Sequence, residues 1–100
     1  MTLEVFVTDV AEAHIVAIDE WWRENRGWSA NLFVEELSAA FVLLSASPQI
    51  GKSYSHPKLK GIRRVLLRTT RNHVYYRADE KGIWVLAVWS GVRGAGPELG

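Results

Sequence analysis

Hydrophobic and polar positions along the chain predict one short strand, two helices and three further strands. Residues 3–7 alternate and are rich in β-branched side chains, which is typical of a strand. A helix is predicted from Asp9 to about Arg26, because Asp9 and Glu12 resemble a capping box and Gly27 suits a C-cap. Its expected core stripe, spaced at the helical period, consists of Val10, Ala13, Ala17, Ile18 and Trp21.

A second helix is predicted soon after Gly27, where apolar residues again recur at helical spacing. Ser29 is its expected N-cap, and Pro48 closes it. The stripe that should face the core consists of Phe33, Leu37, Ala40, Phe41 and Leu44. Because the connection between the two helices is short, they are expected to pack as an antiparallel hairpin.

Three strands are predicted after a loop over residues 48–61 that is rich in Gly, Ser, His and Pro. They cover residues 62–68, 73–78 and 83–89, and the gaps between them are short enough for hairpin turns. The expected fold is a single α+β domain over residues 1–100: an N-terminal strand, an antiparallel helical hairpin and a three-stranded antiparallel meander. The N-terminal strand is expected at the edge of the same sheet.

Alternation along the meander separates a face that covers the helices from an open face. Val74 and Tyr76 are expected to point toward the helices. The open face of the same strand then carries His73, Tyr75 and Arg77. On the preceding strand, the pattern leaves open whether Arg63 or Arg64 faces the same way. Such a mixture of cations, histidine and tyrosine is typical of a phosphate-binding surface that can also stack on bases.

Charge is divided sharply along the chain, although the net charge is only +1. Residues 48–78 contain eight Lys or Arg and no Asp or Glu, whereas residues 1–47 contain eight acidic residues and two arginines. A basic region of this kind steers a protein toward polyanions or acidic protein segments. The residues predicted to form a partner-binding basic surface are Lys58, Lys60, Arg63, Arg64, Arg68, Arg71, Arg77 and Arg93.

Composition excludes several other classes of protein. The hydrophobic content of 48% and charged content of 23% describe a globular domain, not a disordered chain. The absence of cysteine excludes disulfides and thiolate metal sites, and the three histidines lack the spacing of metal ligands, so no metal or cofactor is expected. No uninterrupted apolar run approaches the roughly 20 residues of a membrane span, and no signal sequence is evident, so a cytoplasmic protein without a membrane partner is expected.

An RNA-cleaving site is one interpretation of the basic strands. Cleavage at a 2′-hydroxyl needs a general base, a general acid and cations that stabilise the phosphorane. In this interpretation Arg64, Arg68 and Arg77 stabilise phosphate, while His73 or Tyr75 transfers protons. The alternative is that His73 is a solvent-facing strand residue. There is no glycine-rich phosphate loop and no nucleophile motif, so the residues alone leave open whether the protein is an enzyme.

Five tryptophans are many for a chain of 100 residues. Trp21 lies on the predicted core stripe, whereas Trp22 is rotated by about 100° around the helix. Trp22 therefore either covers the rim of the core or marks a protein-binding patch. Trp84 and Trp89 are expected on opposite faces of the last strand, so that one of them faces away from the helices.

The order and spacing of these segments resemble the RelE/ParE superfamily of bacterial type II toxins over essentially the whole chain. The stretches that carry the resemblance are residues 5–13, 32–44, 47–51, 61–67, 73–77 and 85–89. Toxins of this kind are encoded beside a small antitoxin, whose C-terminal segment wraps and neutralises the toxin. The resemblance implies a cognate antitoxin as partner, with Trp22 and Trp89 as candidate contacts. Operator DNA would be bound only through the antitoxin, and higher-order toxin–antitoxin assembly stays open.

The superfamily divides by cellular target. RelE-like toxins cleave messenger RNA on the ribosome and usually carry a Tyr or His near the end of the last strand. The matching residues 90–97 offer Arg93 but neither Tyr nor His. ParE-like toxins lack the catalytic set and poison DNA gyrase, and the long helical hairpin resembles theirs. The resemblance therefore favours a non-enzymatic gyrase inhibitor; the alternatives are a ribosome-dependent endoribonuclease and a non-toxic member that only binds its antitoxin.

Overall fold

The computed structural model describes residues 2–91 and 96–99. Its elements are β1 (Glu4–Val7), α1 (Asp9–Asn25), a 3-10 turn (Gly27–Ser29), α2 (Leu32–Ala46), β2 (Lys52–Ser53), β3 (Ile62–Leu67), β4 (Asn72–Ala78) and β5 (Gly82–Ser90). The strands form one sheet in the order β1-β5-β4-β3-β2, in which β1 pairs parallel to β5 at one edge and all other pairs are antiparallel. The predicted α+β architecture is confirmed, and the structure adds the short strand β2 inside the predicted loop.

Both ends of helix α1 differ from the prediction by one residue. The hydroxyl of Thr8 accepts the N–H of Ala11 at 3.2 Å, so Thr8 and not Asp9 is the N-cap. At the other end, the N–H of Arg26 bonds to the carbonyl of Trp22, so Arg26 and not Gly27 occupies the C-cap. Gly27 instead begins the 3-10 turn.

The predicted core stripe of α1 is wrong except at Ile18. The residues that face the core are Ala11, which is fully buried, and Ile15, Ile18 and Trp22, which pack against it. Val10, Ala13, Ala17 and Trp21 are exposed. Apolar residues cover so much of this helix that spacing alone admits two neighbouring stripes, and the small side chain of Ala11 lies at the interface with the sheet.

Helix α2 buries the predicted stripe. Phe33, Leu37 and Leu44 are buried, and Ala40 and Phe41 pack beside them. Ser29 lies in the 3-10 turn and does not cap the helix. The segment Gly27–Ala46 has a mean hydropathy of 1.3 and is long and apolar enough to cross a membrane by composition, which the uninterrupted-run criterion missed. Its stripe of Phe33, Leu37 and Leu44 packs into the core cluster, while only 17% of the apolar window is buried.

A bulge in β5 changes the side on which two tryptophans lie. Tyr75 pairs with Ala87 while the next residue, Tyr76, pairs with Val85, which leaves Leu86 as an extra residue. Trp84 and Trp89 pair with Arg77 and His73, both of which belong to the open face. The prediction that the two tryptophans lie on opposite faces is therefore wrong, because the extra residue shifts the alternation by one.

The loop after α2 is fixed by a buried tyrosine. The hydroxyl of Tyr76 accepts the N–H of Gly51 at 2.9 Å and donates to the carbonyl of Pro48 at 2.8 Å. A Cβ on Gly51 would lie 2.6 Å from that hydroxyl, so the close approach requires glycine. Arg63 strengthens the same anchor by donating to the carbonyl of Gly51 at 2.7 Å.

The turn between β3 and β4 is tied to helix α2 through Glu36. Its carboxylate accepts the N–H groups of Thr69 and Thr70 at 2.8 and 3.0 Å and the hydroxyl of Thr70 at 2.7 Å. Burial by itself would raise the pKa of Glu36, but the hydrogen bonds from Thr70 and Thr69 outweigh it and hold the pKa below its usual value. The charged form of Glu36 therefore stabilises the fold.

Replacing Glu36 with Gln should lower the free energy of unfolding at pH 7 by about 1–3 kcal/mol, because charge-assisted hydrogen bonds are lost. A carboxyl whose pKa is lowered on folding contributes stability above its unfolded pKa and loses it as the pH falls through its folded pKa. The difference from the wild type should thus shrink below roughly pH 4.3. Urea unfolding at several pH values measures this difference in free energy, with the exposed neighbour Glu35→Gln as control. Equal losses of stability in both variants would contradict a stabilising role for the hydrogen bonds of Glu36.

Candidate functional site

The face of the sheet opposite the helices is not an open surface. Its centre is a second hydrophobic cluster in which Ile62, Tyr75, Ala87 and Leu99 are buried. Tyr54, Leu59, Leu86 and Trp89 pack around this cluster. Tyr75 is only 2% exposed, because the loop residue Tyr54 and the C-terminal Leu99 cover it. The expectation of an exposed Tyr75 that stacks on bases is therefore wrong.

Arg64 is held against the aromatic residues of this face. Strand register places it opposite Tyr75, which settles that Arg64 and not Arg63 lies on the side away from the helices. Its Nη1 atom donates to the hydroxyl of Tyr75 at 3.3 Å. Its guanidinium carbon lies 5.2 Å from the ring centroid of Tyr54 and 5.9 Å from that of Tyr75. The two tyrosine rings meet edge to face at 4.9 Å, so Arg64 is part of a packed cluster.

His73 lies beside this cluster, with its ring centroid 6.1 Å from that of Tyr75. Burial, and secondly the charge of Arg64, lower the pKa of His73 below its usual 6.5. The lowered pKa favours the neutral imidazole, which can accept a proton. The structure brings together Arg64, His73 and Tyr75 from the predicted catalytic set.

The remaining predicted basic residues are spread over several elements. Arg77 is exposed on the sheet face beyond Tyr75, and Arg68 is exposed after the end of β3. Lys58 and Lys60 are exposed in the loop between β2 and β3. Arg63 does not belong to a free basic surface, because it anchors the loop at Gly51, and Arg71 lies in the β3–β4 turn beside helix α1. Arg93 lies outside the described residues.

The charge division of the sequence becomes a division in space. The eight acidic residues of the first half lie on β1, α1 and α2, whereas the basic segment forms β2, β3, β4 and their connections. Within residues 2–91 and 96–99, the only ion pair joins Arg23 and Asp19 on the same helix. The described cations of the strands are therefore not neutralised by the acidic helices and remain able to attract an anionic partner.

The tryptophans differ from the prediction in which of them is accessible. Trp22 packs against the core, whereas its neighbour Trp21 is 48% exposed and Trp28, in the connection between the helices, is 91% exposed. Trp89 is partly buried, with its ring 5.3 Å from that of His14. The sequence pattern did not identify Trp21 as a surface residue, because the predicted core stripe of α1 lay one position away from the observed stripe. Thr8 as a possible N-cap and Ala11 as the residue in contact with the sheet are the signals that would have placed the stripe correctly.

No cluster of three or more His, Asp or Glu side chains suited to a metal ion occurs in the part of the chain that the structure describes. The arrangement can bind anions and apolar surfaces, and two cavities are lined by residues other than His73. One, of about 330 Å³, lies at the connection around Trp28, and another, of about 550 Å³, lies between α1 and the β3–β4 turn.

Comparison with known proteins agrees with this description. The model of a family described as the ParE toxin of the type II toxin–antitoxin system parDE matches residues 5–94. A solved structure described as a chromosomal ParDE toxin–antitoxin system from P. aeruginosa is similar with a TM-score of 0.72 and 19% identity, covering 89% of this chain and 96% of that chain. A search of curated proteins finds no match.

Fold and comparison together define the class: a small α+β protein with the fold found in toxin–antitoxin complexes. At 19% identity the structural likeness establishes the fold alone. The family match extends over nearly the whole chain, residues 5–94. The chain therefore belongs to the ParE toxin family of type II toxin–antitoxin systems, which confirms the resemblance drawn from the sequence and narrows it to the ParE side.

Replacing Arg64 with Gln should raise the pKa of His73, because a positive charge that opposes protonation is removed while most of the side-chain volume is kept. The pKa should stay below 6.5, since burial is the larger cause and persists. NMR titration of the imidazole measures the change, with the exposed Arg77→Gln as control. An unchanged pKa in Arg64→Gln, or an equal shift in both variants, would contradict the coupling.

Proposed function

We propose that this protein is a cytoplasmic toxin that inhibits DNA gyrase by binding and is neutralised by its cognate antitoxin. The observation that carries the proposal concerns Arg64, His73 and Tyr75, the residues that were predicted to form a catalytic site. Tyr75 is buried and its hydroxyl accepts a hydrogen bond from Arg64, and burial together with the charge of Arg64 lowers the pKa of the neighbouring His73. General acid–base cleavage of RNA needs one group that accepts a proton and another that donates one to a bound substrate, and the burial of Tyr75 argues against its use in either role.

Unneutralised cations support a target that carries negative charge. Arg68, Arg77, Lys58 and Lys60 are exposed, and none of them has a carboxylate partner among the described residues. Such a surface accelerates association with DNA or with acidic protein segments. In the free toxin it would meet gyrase or its bound DNA, and in the neutral complex it would meet acidic residues of the antitoxin.

Exposed apolar side chains on the helices support a macromolecular partner as well. Trp28 is 91% exposed and Val42 is 73% exposed, both on the side of the molecule that carries the acidic residues. The other large apolar residues exposed on the helices are Val10, Val16, Trp21, Val34 and Leu43. Apolar surface of this extent marks an interaction site more often than a solvated face. An antitoxin that wraps the toxin would cover it.

Ribosome-dependent RNA cleavage is the second candidate, because Arg64 and His73 do lie next to each other on a basic face. In that mechanism the arginines stabilise phosphate and His73 acts as the base. His73→Ala would then lose most of its cleavage activity, whereas gyrase inhibition should not depend on this side chain. A non-toxic member that only binds its antitoxin would inhibit neither target.

The antitoxin-free protein should convert supercoiled plasmid to linear DNA in the presence of gyrase and ATP, and added antitoxin should abolish the effect. With the double variant Lys60→Glu and Arg77→Glu, about tenfold more protein should be needed for the same DNA cleavage, because two positive charges that attract the anionic target become negative and repel it. Lys81→Glu, in the turn outside the basic segment, is the matched control and should behave as wild type. If the plasmid stays normally supercoiled although the toxin is folded, the proposal is contradicted.

A further inference from the structure

A groove of about 550 Å³ lies between the second half of α1 and the ends of the strands. One wall is formed by Ala17, Ile18, Trp21 and Trp22 of the helix. The facing wall is formed by Thr70, Arg71 and Asn72 of the β3–β4 turn and by Ser90 at the end of β5. The volume lies within the range of binding pockets, and most of the lining is apolar.

Two arginines give this apolar groove an anion-binding character. Arg26 and Arg71 both line it, and neither has a carboxylate partner among the described residues. The guanidinium of Arg26 lies 5.3 Å from the ring centroid of Trp21, whose ring in turn meets that of Trp22 edge to face at 5.7 Å. A ligand that fits here must offer both an apolar side chain for the indoles and a negative group for the guanidiniums.

Arg71 has a backbone conformation that glycine normally supplies. Its φ is +65°, and it is the one residue other than glycine with a positive φ within residues 2–91 and 96–99. The conformation is held by bonds from its N–H to the carbonyl of Leu67 at 2.8 Å and from the N–H of Gly91 to its carbonyl at 2.7 Å. Glycine would fit this turn without strain, whereas a residue with a side chain is held there at an energetic cost.

We propose that this groove binds a segment of the antitoxin in which a carboxylate side chain lies next to a bulky aliphatic one. The carboxylate pairs with Arg71 and Arg26, and the aliphatic side chain packs against Trp21 and Trp22. The inference rests on the proposed function, because it takes the antitoxin as the partner, and adds the chemistry that the partner presents. Nucleic acid fits less well, since most of the lining is apolar and, among the described residues, only two cations line the groove, whereas a nucleic acid presents a run of phosphates.

The test compares affinity with stability in the variant Arg71→Gly. Titration calorimetry with the antitoxin encoded beside this chain should show a dissociation constant raised at least about tenfold, as for loss of an interfacial arginine. Thermal unfolding of the free toxin should show an unchanged or higher midpoint, because glycine relieves the strained φ. Lys81→Ala removes an exposed cation that lies outside both the groove and the basic surface, and it should change the affinity by less than about threefold.

The possible outcomes distinguish a failure of the groove proposal from a failure of the proposed function. Wild-type affinity in Arg71→Gly, while the wild-type toxin binds the antitoxin, overturns the groove proposal and leaves the proposed function intact. Absence of binding by the wild-type toxin overturns the antitoxin as partner. Sedimentation of the free toxin tests a second copy as occupant: a dimer that Arg71→Gly dissociates would show that the groove is filled by this chain, against the proposal.

Discussion

Two neighbouring tyrosines on the central strand β4 hold the two sides of the molecule together, because adjacent strand residues point to opposite faces of a sheet. Tyr76 is buried beneath the helices, where its hydroxyl fixes the loop that follows α2. Tyr75 is buried on the other face beneath Leu99, where its hydroxyl accepts a hydrogen bond from Arg64. The central strand is therefore covered on both faces, and the groups available for function lie around it.

This double burial shapes what the toxin can do. An open face with histidine, tyrosine and arginine was the expectation, but here Tyr75 is buried, and burial together with the charge of Arg64 lowers the pKa of His73. Acidic helices on one side and basic strands on the other remain, with exposed apolar residues on the helices. Such surfaces suit a protein that binds other macromolecules, as the proposed inhibition of gyrase and neutralisation by an antitoxin require.

Local patterns in the sequence predict most of this fold. The order of elements, the edge position of β1, the meander and the buried stripe of α2 were predicted, because each depends on alternation, helical spacing or short turns. The core-facing stripe of α1 was not predicted correctly, because apolar residues cover adjacent faces of this helix and only the burial of Ala11 in the core selects between them. The bulge at Leu86 leaves no mark in composition, and so the side of Trp84 and Trp89 was predicted wrongly.

The candidate site was less predictable, because its state depends on contacts between residues far apart in the chain. The basic segment and its separation from the acidic half were visible in the sequence. The burial of Tyr75 by Leu99, the use of Arg63 as a loop anchor and the groove beside Arg71 all arise from tertiary packing. A positive φ at an arginine has no sequence signal, since the usual sign of that conformation is glycine.

The central claim, that the protein arrests growth by binding gyrase without cleaving RNA, is tested most directly inside cells. The toxin would be expressed briefly in bacteria, and two quantities would be mapped in the same culture: chromosomal breaks covalently attached to gyrase, and new 5′ ends of messenger RNA. The account predicts gyrase-attached breaks and intact messenger RNA. Cleaved messenger RNA with an unbroken chromosome would contradict it.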